Sequence, residues 1–413
     1  MQSNSNLLAQ KAAEAIDEEF LISLAQKFVQ IRSVVEPEHG NTELEAANFI
    51  AKTFKELGLT PTIQEVTKNR PNIIADWQGS DYDPKKHKTL MFEGHTDVVT
   101  EGDPSTWQYP PFAGKIINGK LYGRGSADMK AGIAAAIAAL KAIQQVAPEL
   151  SGRIRFGIVV DEESMMIGIK DYIEKGWANE VDAAIIAEPE ENELCLFQKG
   201  AMRVNVMFRG VMSHGAMPYA GVNPIKALSS FLENLKEFEK SEQARLGEHK
   251  YLGLPWITPT IIKAPPDGEA QHNVMPAKAF LALDIRTVPG QEHSAIFAQL
   301  EEYARAIEAN TDKMTIELDL FEQRPWTQTN EDSPIVNALE QAYEIALKQK
   351  PKYGGVPGAT DGTFLSAWAN IPIVTVGPGD REIPHQKNEF VEISEMINAA
   401  KLYAATAIKF LAS

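Results

Sequence analysis

Two histidines and a scatter of carboxylates in this 413-residue sequence stand where apolar runs end. Phe92-Glu93-Gly94-His95-Thr96-Asp97-Val98-Val99 closes one such run. His95 and Asp97 are two apart, so on an extended segment their side chains point the same way. Asp97 could then hold the second nitrogen of a metal-ligating His95. A capped strand end with a satisfied histidine is the simpler account of that segment taken alone. Asp161-Glu162-Glu163-Ser164 follows the run ending at Val160. Three adjacent carboxylates at the end of a buried strand are costly without a cation or proton to compensate them, unless the loop is solvated. Glu188 follows Ile185-Ile186-Ala187 and precedes Pro189, and His385 lies in Ile383-Pro384-His385-Gln386-Lys387-Asn388-Glu389. Asp128 sits in a glycine-rich stretch, Gly123 to Gly132, at the expected N-cap of an Ala-rich helix. A phosphate-cradle reading of that stretch is weak, because neither GxxxxGK[ST] nor GxGxxG is present.

Taken jointly, His95, Asp128, Glu163, Glu188 and His385 offer two imidazoles and three carboxylates, enough for two metal sites sharing one bridging carboxylate. Oxygen and nitrogen ligands suit Zn²⁺, and also Co²⁺ or Mn²⁺. A pair of ions ~3.5–4 Å apart activates a water and clamps a tetrahedral oxyanion. Glu162 is then left free to be the general base.

The elements that must position these residues read as an α/β chain. Helical spacing covers residues 17–33, 43–57 and 129–146, and apolar runs at 72–77, 89–93, 153–160 and 183–187 read as strands. This rhythm predicts a mixed sheet flanked by helices. From residue 199 the order becomes strand 201–210, helix 223–239, strands 259–263 and 279–286, helix 294–309 and strand 313–321. That is the ferredoxin-like split βαβ pattern. A smaller α+β domain is therefore placed at 199–324, inserted between 1–198 and 325–413, which make the catalytic domain. The last part continues with a helix at 334–349, a strand at 371–376 and a closing helix at 394–411. The charged stretch from Lys236 to His249 reads as a solvated helix end and loop.

Composition narrows the function classes. A length of 413 predicts two or three domains at ~150 residues each. Hydrophobic residues at 44% and charged residues at 23% exclude a disordered chain. Asp+Glu 56 against Lys+Arg 40 gives a net charge of −16, which disfavours nucleic-acid and membrane-surface roles. The single cysteine, Cys195, excludes an intramolecular disulfide framework and any cysteine-based zinc knuckle, and reads as a buried small hydrophobe. No signal peptide and no run of the ~20 apolar residues a membrane span requires are found. A cytoplasmic location is expected.

The stretches GHTDVV (94–99), GRGSADMKAG (123–132), DEES (161–164), AEPE (187–190), SHGAMP (213–218), HNVMP (272–276), DIRTVPG (284–290) and PHQKNEF (384–390) span nearly the whole chain. In type and order they resemble the M20 family of co-catalytic metallopeptidases and deacylases. This family includes succinyl-diaminopimelate desuccinylases, acetylornithine deacetylases, aminoacylases and glutamate carboxypeptidases. The resemblance implies two divalent ions, one on His95, Asp128 and Glu188, the other on Asp128, Glu163 and His385. It implies that Asp97 orients His95, and that Glu162 deprotonates the attacking water and later protonates the leaving amine. It further implies a homodimer formed through the inserted lid domain, with His214 stabilising the oxyanion in the partner's site. Asn273, Arg286 and Thr360 would contact substrate. His39, His87, His249 and His293 are expected at the surface, and His272 is open to either reading.

The expected reaction is hydrolysis of the amide bond of a small N-acylated amino acid or peptide-like substrate. Glu rather than Asp at position 188 leans towards aminoacylases and desuccinylases. Carboxypeptidase or dipeptidase action by the same machinery is the nearest alternative. A non-catalytic metal-bound binding protein is the alternative from another class, which an unliganded Glu162 beside the metals disfavours.

Overall fold

The computed structural model describes residues 2–412. In chain order its principal strands are β1 (Thr62–Thr67), β2 (Arg70–Gln78), β3 (Thr89–His95), β4 (Arg153–Val159), β5 (Ala183–Ile186), β6 (Leu194–Gln198), β7 (Gly200–Arg209), β8 (Trp256–Lys263), β9 (Lys278–Thr287), β10 (Thr315–Arg324) and β11 (Ile373–Thr375). The helices are α1 (Gln2–Glu14), α2 (Glu18–Val29), α3 (Leu44–Glu56), α4 (Ala131–Val146), α5 (Ile167–Glu174), α6 (Pro224–Leu246), α7 (His293–Ala309), α8 (Pro334–Ala342), α9 (Gly362–Ala369) and α10 (Ile393–Leu411). The chain divides into two compact units. One runs to Leu196 and takes in Thr329–Gly355 and the chain from Thr360 on; the other holds Phe197–Gln328 and Val356–Ala359.

The first unit is built on a mixed sheet in the order β1-β2-β4-β3-β5-β11-β6. Its centre is parallel: β3 runs with β4 and β5, and β11 runs with β5. Every residue of β3 and β4 is buried, as strands covered on both faces require. Alanine lets α4 come close: its buried face includes Ala131, Ala134, Ala135, Ala138 and Ala139, and it packs on α10. Parallel sheets place their sites beyond the carboxyl ends of the strands. Here those ends deliver His95 from β3, the 161–164 turn after β4 and Glu188 after β5.

A three-stranded antiparallel sheet, Lys115–Ile117, Lys120–Tyr122 and Phe390–Glu392, settles the other two positions. Phe390 pairs with Tyr122, so the chain entering the Asp128 loop lies beside the chain leaving the His385 loop.

In the second unit the antiparallel strand order is β8-β9-β7-β10. Alternation sends Met202, Val204, Val206 and Phe208 of β7 inward, with Leu281, Leu283 and Ile285 of β9, against Phe231 of α6 and Leu300 of α7. The charged stretch from Lys236 is a helix end as far as Leu246, seven residues beyond the expected end at 239, and then a loop. Ion pairs Lys240–Glu237 at 2.9 Å and Arg245–Glu242 at 2.7 Å support the last turns. His39 and His272 are exposed, whereas His87, His249 and His293, expected at the surface, are half-buried. His249 packs edge-on to Phe197, and His293 Nε2 lies 2.9 Å from Thr287 Oγ1. Cys195 is buried. Among the described residues no helix is long and apolar enough to cross a membrane.

Gly132, on the first turn of α4, makes that helix's approach to the sheet possible. A Cβ there would lie 2.0 Å from the carbonyl oxygen of Ala187, the residue before Glu188. Gly132→Ala is therefore expected to destabilise the fold by roughly 1–3 kcal/mol, the usual range for overpacking. A urea unfolding midpoint equal to wild type would contradict this account of how α4 meets β5.

Candidate active site

The end of β3 buries His95 completely, with 1% of its side chain exposed. Its Nε2 lies 3.1 Å from Asp128 Oδ1 and 3.5 Å from Glu188 Oε1. The other oxygen of Asp128, Oδ2, is 3.4 Å from His385 Nε2, which lies 3.0 Å from Glu163 Oε2. One carboxylate thus stands between two imidazoles, and each imidazole has a second carboxylate of its own. Ligand atoms of His95, Asp128 and Glu163 fall within 4.8 Å of one another, as do those of His95, Glu162 and Glu188.

Asp97 does more than lie beside His95. The closest partner of His95 Nδ1 is the Asp97 main-chain oxygen at 2.9 Å, with the carboxylate further off at 3.5 Å. The Asp97 carboxylate instead accepts the main-chain N–H groups of Glu162 at 3.2 Å and Glu163 at 3.0 Å. The same turn is braced from the other side. Arg70 Nη2 donates to Glu43 and to Asp161 Oδ1, both at 2.6 Å, and Asp161 adopts φ +71°.

Asp128 is not a helix cap. Its backbone is extended, at φ −113° and ψ 97°, and α4 begins three residues later with Lys130 at the cap. A cap would turn its carboxylate onto the helix's own N–H groups; the extended backbone frees it to face the histidines. The loop's N–H groups are also taken: Ala127 and Asp128 donate to Glu389 Oε1 at 2.9 and 3.2 Å. That occupancy removes the phosphate cradle considered from the sequence.

Burial dominates the electrostatics. It pushes the Glu162 carboxyl well above its usual range, with repulsion from Glu188, Asp361 and Glu163 adding to the shift against the pull of His95. Burial, then Asp128, lift Glu188 to about 8. Asp128 goes the other way: burial opposes its charge, but hydrogen bonds with His385 and His95 hold it below the carboxylate range. His385 rises to about 10 through Asp128 and Glu163. His95 is also raised, its burial outweighed by Asp128, Asp97 and Glu188.

Sequence reasoning missed two acids in this neighbourhood. Glu93, 2% exposed, and Asp361, 1% exposed, are both pushed well above the usual carboxylate range, chiefly by burial. Glu93 Oε1 and both Asp361 oxygens have no hydrogen-bond partner. The signal was slight: Glu93 sits inside an apolar run, and Asp361 adjoins Thr360, the residue singled out instead. Seven carboxyl groups (Glu93, Asp97, Asp128, Glu162, Glu163, Glu188 and Asp361) thus face two imidazoles. Buried Lys130 does not restore the balance, since its Nζ donates to Ile31 O at 2.7 Å and burial lowers it to about 7. An oxygen- and nitrogen-rich set with orphaned buried acids fits divalent cations.

Of the remaining expected residues, Thr360 belongs to the first unit and the other three to the second. Thr360 is buried in the turn before α9, where its Oγ1 accepts the Gly362 N–H at 3.2 Å. In the second unit, His214 and Asn273 come together: Ser213–His214 pairs with Val274–Met275, and Gly215 N–H donates to Asn273 O at 2.7 Å. Both residues are exposed. Arg286, half-buried on β9, is engaged by Asp284 at 2.6 and 3.2 Å.

Residues 91–409 match the model of peptidase family M20/M25/M40. The chain is 26% identical over 408 residues to a protein of Staphylococcus aureus (strain MSSA476) named probable succinyl-diaminopimelate desuccinylase, covering 94% of this chain and 98% of that one. Among solved structures, an M20 family metallo-carboxypeptidase, Sso-CP2 of Sulfolobus solfataricus, superposes with a TM-score of 0.74 at 21% identity, covering 96% of this chain and all (100%) of that one. The YXEP protein of Bacillus subtilis, described as a dinuclear metal-binding peptidase of the M20 family, gives 0.69 at 19% identity, with 96% and 98% covered. The family match takes in all nine of the histidine and carboxylate positions gathered here, and the chain belongs to peptidase family M20/M25/M40, as a metal-dependent amidohydrolase.

Proposed function

We propose that this protein hydrolyses the amide bond of N-acyl amino acids or related small substrates, in the manner of a deacylase or desuccinylase, with Glu162 as general base. The observation that carries the reading is the Asp128 carboxylate between His95 and His385, with Glu162 buried alongside. The desuccinylase name of the Staphylococcus relative supports the substrate class. The carboxypeptidase among the structural neighbours supports the second reading, carboxypeptidase or dipeptidase action at the same site.

His95, Asp128 and Glu188 would hold one divalent ion and Asp128, Glu163 and His385 a second, as the dinuclear neighbour suggests; Zn²⁺ suits the set best, with Co²⁺ or Mn²⁺ as alternatives. When bound, such ions supply Lewis-acid polarisation of the scissile carbonyl and lower the pKa of water. Glu162 takes the proton of the attacking water as its oxygen bonds to the carbonyl carbon. The same proton passes to the nitrogen as the C–N bond breaks, and the second water proton leaves the acid product for the amine, giving a carboxylate and an ammonium. Asp97 keeps Glu162 and Glu163 in register through their main-chain N–H groups.

A second copy of the chain completes the proposal. The inserted unit serves as lid and dimerisation domain, and His214 stabilises the oxyanion in the partner's site. The exposed edge strand β8, with Trp256, Ile261 and Ile262 at the surface, supports an interface between copies. Asn273, Arg286 and Thr360 are the proposed substrate contacts. A cytoplasmic location goes with this reading.

A panel of N-acetyl and N-succinyl amino acids, folate-like compounds and dipeptides tests the substrate class: N-acyl amino acids should be cleaved fastest, and preferred dipeptide cleavage would favour the second reading. Glu162→Gln should keep its metal content while kcat falls ~10³-fold, the scale of a lost general base; full activity in that variant would remove its role. Proton counting checks the metal set. Both histidines are raised by the acids around them, His385 to about 10, so His385 carries a proton at pH 7 that a cation must displace. The pairing of His385 stabilises the fold fully below the ordinary histidine value of 6.5 and is lost as pH climbs through about 10, so metal affinity rises over that window. Calorimetry in buffers of different ionisation enthalpy should find at least one proton released on loading; no release would contradict the ligand set. For the dimer, mixing inactive Glu162→Gln and His214→Ala chains should regenerate activity in mixed dimers. A monomer by sedimentation, with full activity, would exclude it.

A further inference from the structure

His385 differs from the other residues of the site. It is the last to be reached along the chain, lies on a loop at φ +65°, and leaves 56% of its side chain exposed. Something other than burial must hold it. Arg124 does so: 3% exposed, it donates from Nη1 to Glu389 Oε2 at 2.5 Å and from Nη2 to the main-chain oxygens of His385 and Thr100, both at 3.3 Å. Glu389, 1% exposed, in turn accepts the main-chain N–H groups of Ala127 and Asp128 through its other oxygen. Its own carbonyl accepts the Gly123 N–H at 2.9 Å. The circuit is closed: His385 carbonyl, Arg124 guanidinium, Glu389 carboxylate, Asp128 amide.

We propose that the buried Arg124–Glu389 pair is a positioning device that fixes the His385 loop against the Asp128 loop, and so sets the affinity of the metal group formed by Asp128, Glu163 and His385. Neither residue reaches the reacting atoms. This inference rests on the dinuclear reading above. The ion group on His95 and Glu188 depends less on the pair, because those side chains come from strand ends that the sheet already holds. The planar fork of arginine reaches its three acceptors from two nitrogens held in fixed geometry, whereas a lysine presents its donors from a single point. Glutamine at 389 keeps an acceptor for the two amides but loses the charge that anchors Arg124.

The test compares wild type, Arg124→Lys and Glu389→Gln, each stripped of metal and titrated with Zn²⁺ against a chromophoric chelator, with metal content read by elemental analysis. Wild type should take two equivalents. Each variant should keep the first near wild-type affinity and bind the second ~10–100-fold more weakly, the usual scale for losing a residue that orients a ligand. Co²⁺ loading should show the same split as a lost visible absorption band for the second equivalent. A merely structural pair would lower the melting temperature of the metal-free protein and leave both affinities unchanged; that result overturns the proposal. Should one variant fail to fold, the other carries the comparison. If wild type itself binds fewer than two ions, the dinuclear reading falls first and this inference with it.

Discussion

Burying several carboxylates together without enough positive charge is the constraint around which this protein is arranged. Glu93, Asp128, Glu162, Glu188 and Asp361 crowd the ends of β3 and β5; burial works against the charge of all five, and every one is raised except Asp128. Asp128 escapes because two imidazoles flank it. The rest of the unit spends its arginines on acids one layer further out, Arg70 on Glu43 and Asp161, Arg124 on Glu389, Arg381 on Glu190 and Glu193. The centre is thereby left short of cations, and a site short of cations attracts them.

Rigid elements carry this unfavourable arrangement. Strand ends fix His95 and Glu188 with main-chain bonds that continue past the strands themselves, such as Ala187 N–H to Glu93 O at 3.1 Å and Thr96 N–H to Val159 O at 2.9 Å. Close approach of backbone to backbone seals the back of the site. At Gly377 a Cβ would stand 2.6 Å from the carbonyl oxygens of both Ala187 and Glu188. Side chains that cannot relax their positions cannot relieve their repulsion by moving apart, which keeps the site poised for its ligand.

The sequence made the strand ends legible because each is an apolar run followed at once by an acid or a histidine. It made the second unit's sheet legible too, since Met202, Val204, Val206 and Phe208 alternate with half-exposed partners. Pairing of the two histidines across Asp128 was beyond it, because this depends on the register that sets Phe390 beside Tyr122. The spacing of two sets Asp97 beside His95, 3.5 Å from Nδ1, but gives no sign that the same carboxylate accepts the Glu162 and Glu163 N–H groups. Glu93 was invisible, since a fully buried strand shows no alternation to betray an inward acid. Asp128 looked like a cap because caps and ligands draw on the same residue type. Arg124 and Glu389 lay within the quoted stretches, yet their mutual contact spans 265 residues and no local pattern records it.

The small sheet that joins Lys120–Tyr122 to Phe390–Glu392 has a consequence for biosynthesis. A ribosome delivers His95, Asp128, Glu163 and Glu188 long before His385, so the nascent chain gathers its acids around a single imidazole. The hollow gains its second imidazole only when the returning strand docks. A polypeptide without that strand would carry the acidity with a single imidazole to set against it.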